Sequence, residues 1–337
     1  MTSYNSLMTN YKVGIQLTKN KDKYKQLLNV LKSNLDSKKS LKFIHIADDL
    51  DLKNKICELD ILTTYGISEN VFSQASDKLK WVHFGSAGIE NSIFPSILKS
   101  KTIITNASGV HSGPVSEFAL GMILYLSKRF SGCEIFKNDA VWTQWKLARQ
   151  TIQLSGKTVG IIGFGNIGKA IAKKAKAFDM KVIATRRLQK KVENKKIVDE
   201  LIPLSDLDSL FTKSDYVVIA CPLTPLTQGM IGSKELAKMK SSAFIINIAR
   251  GKIIDESVLI DSLQNKRIAG AGLDVFSTEP LDQHSPLFGL DNVFLSPHIS
   301  GNFPEYQRDV VLQFADNLNK YLLGKDLKNR VCKKRLY

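Results

Sequence analysis

Residues 158–187 read TVGIIGFGNIGKAIAKKAKAFDMKVIATRR, and this stretch decides the fold. An apolar run at 159–162 leads directly into Gly163-Phe164-Gly165-Asn166-Ile167-Gly168. A helical pattern follows over 169–178, and a second apolar run at 181–184 closes a βαβ unit. A lone G-x-G-x-x-G is weak, because glycines gather in turns of many kinds. Between a strand and a helix the same triplet has a mechanism. Gly163 permits the tight turn, Gly165 lets backbone approach a pyrophosphate, and Gly168 lets helix and strand pack closely. The helix opened by Asn166 and Ile167 then points N–H groups and partial positive charge at phosphate. The competing reading is an ordinary strand-to-helix turn, and the context favours a dinucleotide site.

The end of the second strand specifies which dinucleotide. An acidic residue about 20 positions beyond the loop ordinarily holds the ribose hydroxyls of NAD. Here the chain reads Ala184-Thr185-Arg186-Arg187, with no carboxylate. Two guanidinium groups and a hydroxyl suit a 2′-phosphate, since arginine offers paired, charge-assisted hydrogen bonds to such a group. The expectation is NADP(H) in preference to NAD(H), with NAD(H) still possible.

Working outward, the same rhythm continues in both directions. Apolar runs at 181–185, 216–220, 243–248, 269–273 and 293–296 alternate with lysine-rich amphipathic segments. Before the glycine loop, runs at 11–17, 41–46, 59–63, 79–84 and 102–105 read as another set of strands. A helix is expected over 115–130, opening after Gly113-Pro114, and another over 305–323. Residues 325–337 read as a basic, mobile end. Two doubly wound parallel sheets fit this layout better than one large sheet, given about 150 residues per domain. The expected division is a flavodoxin-like domain over 1–112, rejoined by 299–337, and a Rossmann dinucleotide-binding domain over 113–298. Each should bind ligands at the carboxyl ends of its strands.

Composition narrows the classes. The 337 residues are 43% hydrophobic and 24% charged, which excludes collagen-like, disulfide-scaffold and wholly disordered chains. Cys57, Cys133, Cys221 and Cys332 form no C-x-x-C pair, and the five histidines are scattered, so no metal site is expected. The polar first twelve residues lack a signal peptide's apolar stretch, and no run reaches the length of a membrane span. A cytoplasmic protein is expected. The formal charge of +16, from 48 basic and 32 acidic residues, raises nucleic acid, membrane and small anions as partners. No recognition motif or aromatic–basic platform supports nucleic acid.

Four further blocks follow the glycine loop in order. They are Cys221-Pro222-Leu223-Thr224-Pro225-Leu226-Thr227; Ile246-Asn247-Ile248-Ala249-Arg250-Gly251 with Asp255-Glu256; Gly272-Leu273-Asp274-Val275-Phe276 up to Glu279-Pro280; and Ser296-Pro297-His298-Ile299-Ser300-Gly301. As an ordered set these resemble the D-isomer-specific 2-hydroxyacid dehydrogenases, the family of glyoxylate/hydroxypyruvate reductases and phosphoglycerate dehydrogenases. The likeness spans most of the chain and weakens before Trp81.

The resemblance implies roles that fit the residue chemistry. Arg250 would be the substrate cation, its fork matching a carboxylate. His298 would be the general acid/base, since imidazole exchanges a proton near neutral pH. Glu279 would be its partner, favouring the imidazolium and fixing the ring. Singly, an arginine after a strand, a glutamate before proline or one histidine is more often structural or solvated. The family order, each at a strand's end, lifts the three together. Ser86, Ala87 and Gly88, in a small-residue turn after a strand, would offer backbone N–H groups to the substrate carboxylate. Asp274 would meet the nicotinamide end of the cofactor, and Cys221, Pro222, Thr227 and Ile248 would line its site. His284 reads as a surface residue, and His45 and His83 as structural. Trp142 and Trp145 follow the long helix where family members dimerise; core packing or a helix interface is the expected use.

The resulting expectation is an NADPH-dependent reductase of a small 2-keto acid such as glyoxylate or hydroxypyruvate, working as a homodimer through its nucleotide-binding domain and closing a cleft around substrate. Two alternatives stay open. One is a phosphoglycerate dehydrogenase-like enzyme, disfavoured because the chain ends soon after His298 with no room for a regulatory extension. The other is a corepressor-like module that senses nucleotide without turnover.

Overall fold

The structure is a computed structural model that describes residues 10–36, 41–187, 189 and 193–333. It divides into two compact units: Met1–Val110 with Phe303–Tyr337, and His111–Asn302.

In the first unit five strands form an all-parallel sheet. They are β1 (Tyr11–Gln16), β2 (Leu41–His45), β3 (Ile61–Thr64), β4 (Trp81–Phe84) and β5 (Ile103–Asn106), in the order β2-β1-β3-β4-β5. This is the flavodoxin-like arrangement. β3 and β4 are buried at every position, as expected of central parallel strands covered on both faces. The helix Tyr306–Leu322 returns to this unit. Its Val310, Val311, Phe314 and Leu318 pack with Val13, Ile15 and Trp81 in one core.

The second unit is an eight-stranded sheet. Its strands are β6 (Thr158–Ile162), β7 (Lys181–Thr185), β8 (Glu193–Lys195), β9 (Val198–Ile202), β10 (Tyr216–Ile219), β11 (Phe244–Asn247), β12 (Gly270–Leu273) and β13 (Val293–Leu295). The order is β13-β12-β11-β10-β6-β7-β9-β8, with only β8 antiparallel to its neighbour. The chain reverses direction across the sheet between β6 and β10. That reversal is the switch point at which open α/β sheets hold their ligands. One core lies under the helix Ser112–Lys128 and one against the opposite face of the sheet.

Three expectations change. β8 and β9 add an edge hairpin that the apolar runs did not announce, because Lys, Glu and Asp make up half of residues 193–202 and interrupt the apolar ones. The long helix starts at Ser112, placing Gly113 and Pro114 within its first turn. The basic tail is not a free end through residue 333. Val331 is buried, its N–H donates to the Ile104 carbonyl, and Lys333 Nζ donates to the carbonyls of Ile97 and Ser100. The final residues, 334–337, lie outside the described ones.

Candidate active site

The second unit assembles its site residues through strand register. Thr185, Ile162, Ile219, Asn247, Leu273 and Leu295 end their strands and stand side by side across the sheet. One residue further along each chain come Arg186, Gly163, Ala220, Ile248, Asp274 and Ser296. Arg250 and His298 each lie three residues beyond the row. Five blocks distant in sequence therefore emerge along one edge.

At the glycine loop, Gly163 has φ +107°, and a Cβ there would lie 2.8 Å from the Ala220 and Cys221 backbone. A Cβ on Gly168 would sit 2.0 Å from the Gly163 carbonyl oxygen, so helix Asn166–Ala177 packs directly on the turn. Gly165 differs: a Cβ there would meet nothing within 4 Å. It caps a helix that has no side-chain cap, and its bare side leaves backbone accessible to a phosphate. These are the features a dinucleotide pyrophosphate needs, so the residues fit the cofactor that the motif implies.

Arg186 and Arg187 are exposed just past β7. Thr185 is buried, and its hydroxyl accepts the Gly163 N–H at 3.3 Å, bracing the glycine turn. Across the switch point, the Thr227 hydroxyl donates to the Pro222 carbonyl at 2.7 Å and accepts the Thr224 N–H at 2.8 Å. That holds the 222–227 loop in a closed turn, with Pro222 exposed. Burial pushes the Cys221 thiol up to about 12, which leaves it uncharged. Ile248 is buried beneath.

His298, Glu279 and Arg250 come together. His298 Nδ1 lies 2.7 Å from Glu279 Oε2, while Glu279 Oε1 accepts the Phe276 N–H at 3.0 Å. Burial works against ionisation of Glu279. The hydrogen bonds from His298 and Phe276, with the charges of His298 and Arg250, outweigh it and hold the carboxyl below the usual glutamate range. Arg250 follows a turn fixed by buried Asn247, whose side chain accepts the Ala249 N–H and donates to the Arg250 carbonyl. The His298 backbone is left-handed, φ +54°. Asp274 secures that conformation. Fully buried, it accepts from Ser296 Oγ at 2.7 Å, Ile299 N–H at 2.9 Å and Ser300 N–H at 3.0 Å, while its carbonyl accepts the His298 N–H.

One neighbour escaped the sequence reading. His111 opens the unit, and its ring lies against Gly301, where an added Cβ would come within 2.9 Å of His111 Cδ2. Burial, and then the Arg250 charge, hold its imidazole below the usual histidine range. The sequence offers only a histidine ahead of a helix, with no sign of what packs on it.

In the first unit, the turn after β4 is organised through its carbonyls. The Gly85 carbonyl accepts from the Tyr306 hydroxyl, that of Ser86 from the Ala107 N–H, that of Ala87 from Asn106 Nδ2, and that of Gly88 from Ser86 Oγ. The N–H groups of Ser86, Ala87 and Gly88 find no acceptor among the described residues. Successive N–H groups left over by such a turn suit an anion. Gly85 is required for packing, since a Cβ would meet the Tyr65 ring at 2.9 Å. Elsewhere the sequence-selected residues stay apart from the chemistry. His284 is exposed, His45 Nε2 contacts the Thr18 carbonyl, and His83 is buried in β4. Trp142 and Trp145 are 78% and 69% exposed, so neither packs in the core. Among the described residues there is no cluster suited to a metal ion and no helix long and apolar enough to cross a membrane.

Residues 120–300 match the family profile described as D-isomer specific 2-hydroxyacid dehydrogenase, NAD binding domain. A glyoxylate reductase of Thermococcus litoralis is 34% identical over 290 residues, covering 84% of this chain and 86% of that one. A hydroxypyruvate reductase of Thermotoga maritima is 32% identical over 282 residues, covering 82% and 89%. Among solved structures, an NADPH-dependent glyoxylate/hydroxypyruvate reductase of Sinorhizobium meliloti, in complex with NADP and sulfate, superposes with TM-score 0.80. It covers 97% of this chain and 100% of its own at 22% identity, a likeness of fold.

Proposed function

Since the chain belongs to the D-isomer specific 2-hydroxyacid dehydrogenase family, we propose that it reduces a small 2-keto acid, glyoxylate or hydroxypyruvate, to the D-2-hydroxy acid with NADPH. Its oxidoreductase class and its NAD-binding domain are those of the family. The observation that carries the finer reading is the convergence of Arg250, Glu279 and His298 beyond one row of strand ends.

NADPH, when bound, would supply the hydride for the substrate's carbonyl carbon. His298, ring held by Glu279 through Nδ1, presents Nε2 as proton donor to the carbonyl oxygen. Glu279 stays ionised through the working range and keeps that ring oriented. Arg250 binds the substrate carboxylate with its guanidinium fork. In the first unit, the N–H groups of Ser86, Ala87 and Gly88 are proposed to take an anionic group. On the cofactor, Gly163, Gly165, Asn166, Ile167 and Gly168 take the pyrophosphate. Arg186 and Arg187 take the 2′-phosphate, and Cys221, Pro222, Thr227 and Ile248 line the site. Asp274 serves it by holding the 296–300 loop in place.

The oligomer is proposed to be a homodimer. Helices Phe130–Asp139 and Gln144–Ala148 contain no buried residue, and Phe130, Ile135 and Trp145 on them, with Val141 and Trp142 in the link between, are exposed. A run of apolar side chains like this marks an association face.

Steady-state rates with NADPH and NADH on glyoxylate, hydroxypyruvate and pyruvate test the reading. NADPH should give at least about a tenfold higher kcat/KM, the worth of one charge-assisted contact. Arg186→Asp should move the ratio toward NADH. Equal use of both cofactors by the unaltered enzyme, or a ratio that Arg186→Asp leaves unchanged, would overturn the phosphate assignment. Cofactor binding with no turnover of any keto acid would favour the sensing role.

A further inference from the structure

We propose that Glu256 is a positioning residue, which clamps Ser277 and so holds the turn that aims Glu279 at the His298 ring. The inference rests on the keto-acid reading above, in which that ring donates the proton, and every group in it lies within the second unit. Asp255-Glu256 stands out in the sequence beside the Arg250 block, and the reaction as described leaves Glu256 no task. Glu256 opens the helix Glu256–Gln264, where the Asp255 side chain already accepts the N–H groups of Ser257 and Val258. The Glu256 side chain turns instead to another segment. Its Oε2 accepts the Ser277 N–H and its Oε1 the Ser277 hydroxyl, both at 2.8 Å.

The Glu279 turn has little else to hold it. Burial lapses after Phe276: Ser277 is half-buried, and Thr278, Glu279 and Pro280 are exposed. Among the described residues no backbone-to-backbone hydrogen bond ties 277–281 to any other segment. Glu279 takes the Phe276 N–H on one oxygen and gives the other to His298 Nδ1. The Phe276 bond closes the turn on itself, whereas the Glu256 bonds tie the turn to a helix. On the neighbouring side, a Cβ on Gly251 would lie 1.8 Å from the Phe276 carbonyl carbon and 2.4 Å from the Ser277 nitrogen. The chain leaving Arg250 therefore presses on the same peptide that Glu256 grips. Two hydrogen bonds from one residue to one carboxylate fix that residue's direction, and Glu279 follows two positions later. A misplacement of about 1 Å costs a positioned reaction about a hundredfold, and the clamp acts on that scale.

The test uses the full chain with Glu256→Ala, Glu256→Gln, Glu279→Ala and the double variant Glu256→Ala/Glu279→Ala. Glu256 and Ser277 border an open cavity, so water reaches the Ser277 groups that Glu256→Ala releases, and the variant should fold. Its kcat on the keto acid reduced fastest should fall about tenfold or more, with KM and NADPH affinity within about threefold. Glu256→Gln keeps an acceptor for the Ser277 N–H and a donor for the Ser277 hydroxyl oxygen, and should restore most of the rate. In the Glu279→Ala background, Glu256→Ala should cost less than about threefold, because no carboxylate is left to aim. Should Glu256→Ala not fold, Ser277→Ala removes the hydroxyl half of the clamp and makes the same comparisons. A second readout needs no substrate. With isotope-labelled histidine ring nitrogens, magnetic resonance at alkaline pH should find the His298 proton on Nδ1, facing Glu279. Glu256→Ala should spread that proton over both nitrogens; the His298 signal is the one missing from His298→Ala. An undiminished cost of Glu256→Ala in the Glu279→Ala background, or an unchanged His298 ring, would show a residue that merely braces its helix and overturn the proposal. If the unaltered enzyme reduces no keto acid, the keto-acid reading falls, and the ring nitrogens alone decide whether Glu256 aims the pair.

Discussion

His298 adopts a backbone conformation that a histidine does not choose by itself. A left-handed φ costs a non-glycine residue about 1–2 kcal/mol, and here buried Asp274 holds it by taking N–H groups from the next two residues. The chain thus spends stability to aim one imidazole, and Glu279 fixes its rotation. Removing the ring should therefore remove the proton transfer and little else. His298→Ala is expected to lower kcat for keto-acid reduction about 10²- to 10⁴-fold, with NADPH affinity unchanged in a fluorescence titration. Glu279→Gln, which retains an acceptor for Nδ1, should cost less. A His298→Ala enzyme with more than about a tenth of the original kcat would remove His298 from the mechanism. Arg250, Glu279 and His298 were legible beforehand because each sits in a recognisable block whose order matches the family. His111 was not, because its significance depends on Gly301 and Arg250, both more than a hundred residues away in sequence.

At the scale of elements, legibility followed burial. The runs at β6, β10, β11 and β12 are buried at nearly every position, so they stand out as uninterrupted apolar segments. β9 buries only Val198, Leu201 and Ile202 among charged residues, and β8 pairs on its outer edge, where charge is tolerated. β4 shows a different limit. Its histidine read correctly as structural, but not as a pH-sensitive weak point. His83 is fully buried, with Nδ1 2.8 Å from the Thr105 hydroxyl that also accepts the Trp81 indole N–H, and its Nε2 has no partner among the described residues. Burial lowers its pKa from 6.5 to about 3. Above 6.5 the ring is neutral in both folded and unfolded chains and adds no pH dependence. Below that, the unfolded chain takes up a proton that the folded one resists, so stability falls as pH drops from 6.5 toward 3. At about 1.4 kcal/mol per unit the loss approaches about 5 kcal/mol. His83→Phe should flatten the decline of Tm between those pH values. Parallel Tm-versus-pH curves for the two proteins would remove His83 from the acid response.

Across the whole molecule, the net charge of +16 is assigned only in part. Arg186, Arg187 and Arg250 have proposed anions, whereas Lys174 and Lys176 answer Glu117 and Asp199 on helix faces and Lys333 docks the tail. The remainder has a consequence for assembly, because two copies of a +16 chain repel each other at long range. A homodimer must therefore form where apolar area outweighs that repulsion, and the face carrying Phe130, Ile135, Val141, Trp142 and Trp145 concentrates such area. Size-exclusion chromatography with light scattering should give twice the chain mass. The association should tighten as ionic strength rises toward 0.15 M, where the Debye length shortens to about 8 Å. Replacing both tryptophans, in Trp142→Ser/Trp145→Ser, removes two large apolar side chains from the face. That variant should weaken the dimer at least about tenfold, the effect of losing about 1.4 kcal/mol, while leaving the far-ultraviolet spectrum intact. A double variant that dimerises as tightly as the unaltered chain would place the interface elsewhere, and a mass of one chain for the unaltered protein would end the homodimer proposal.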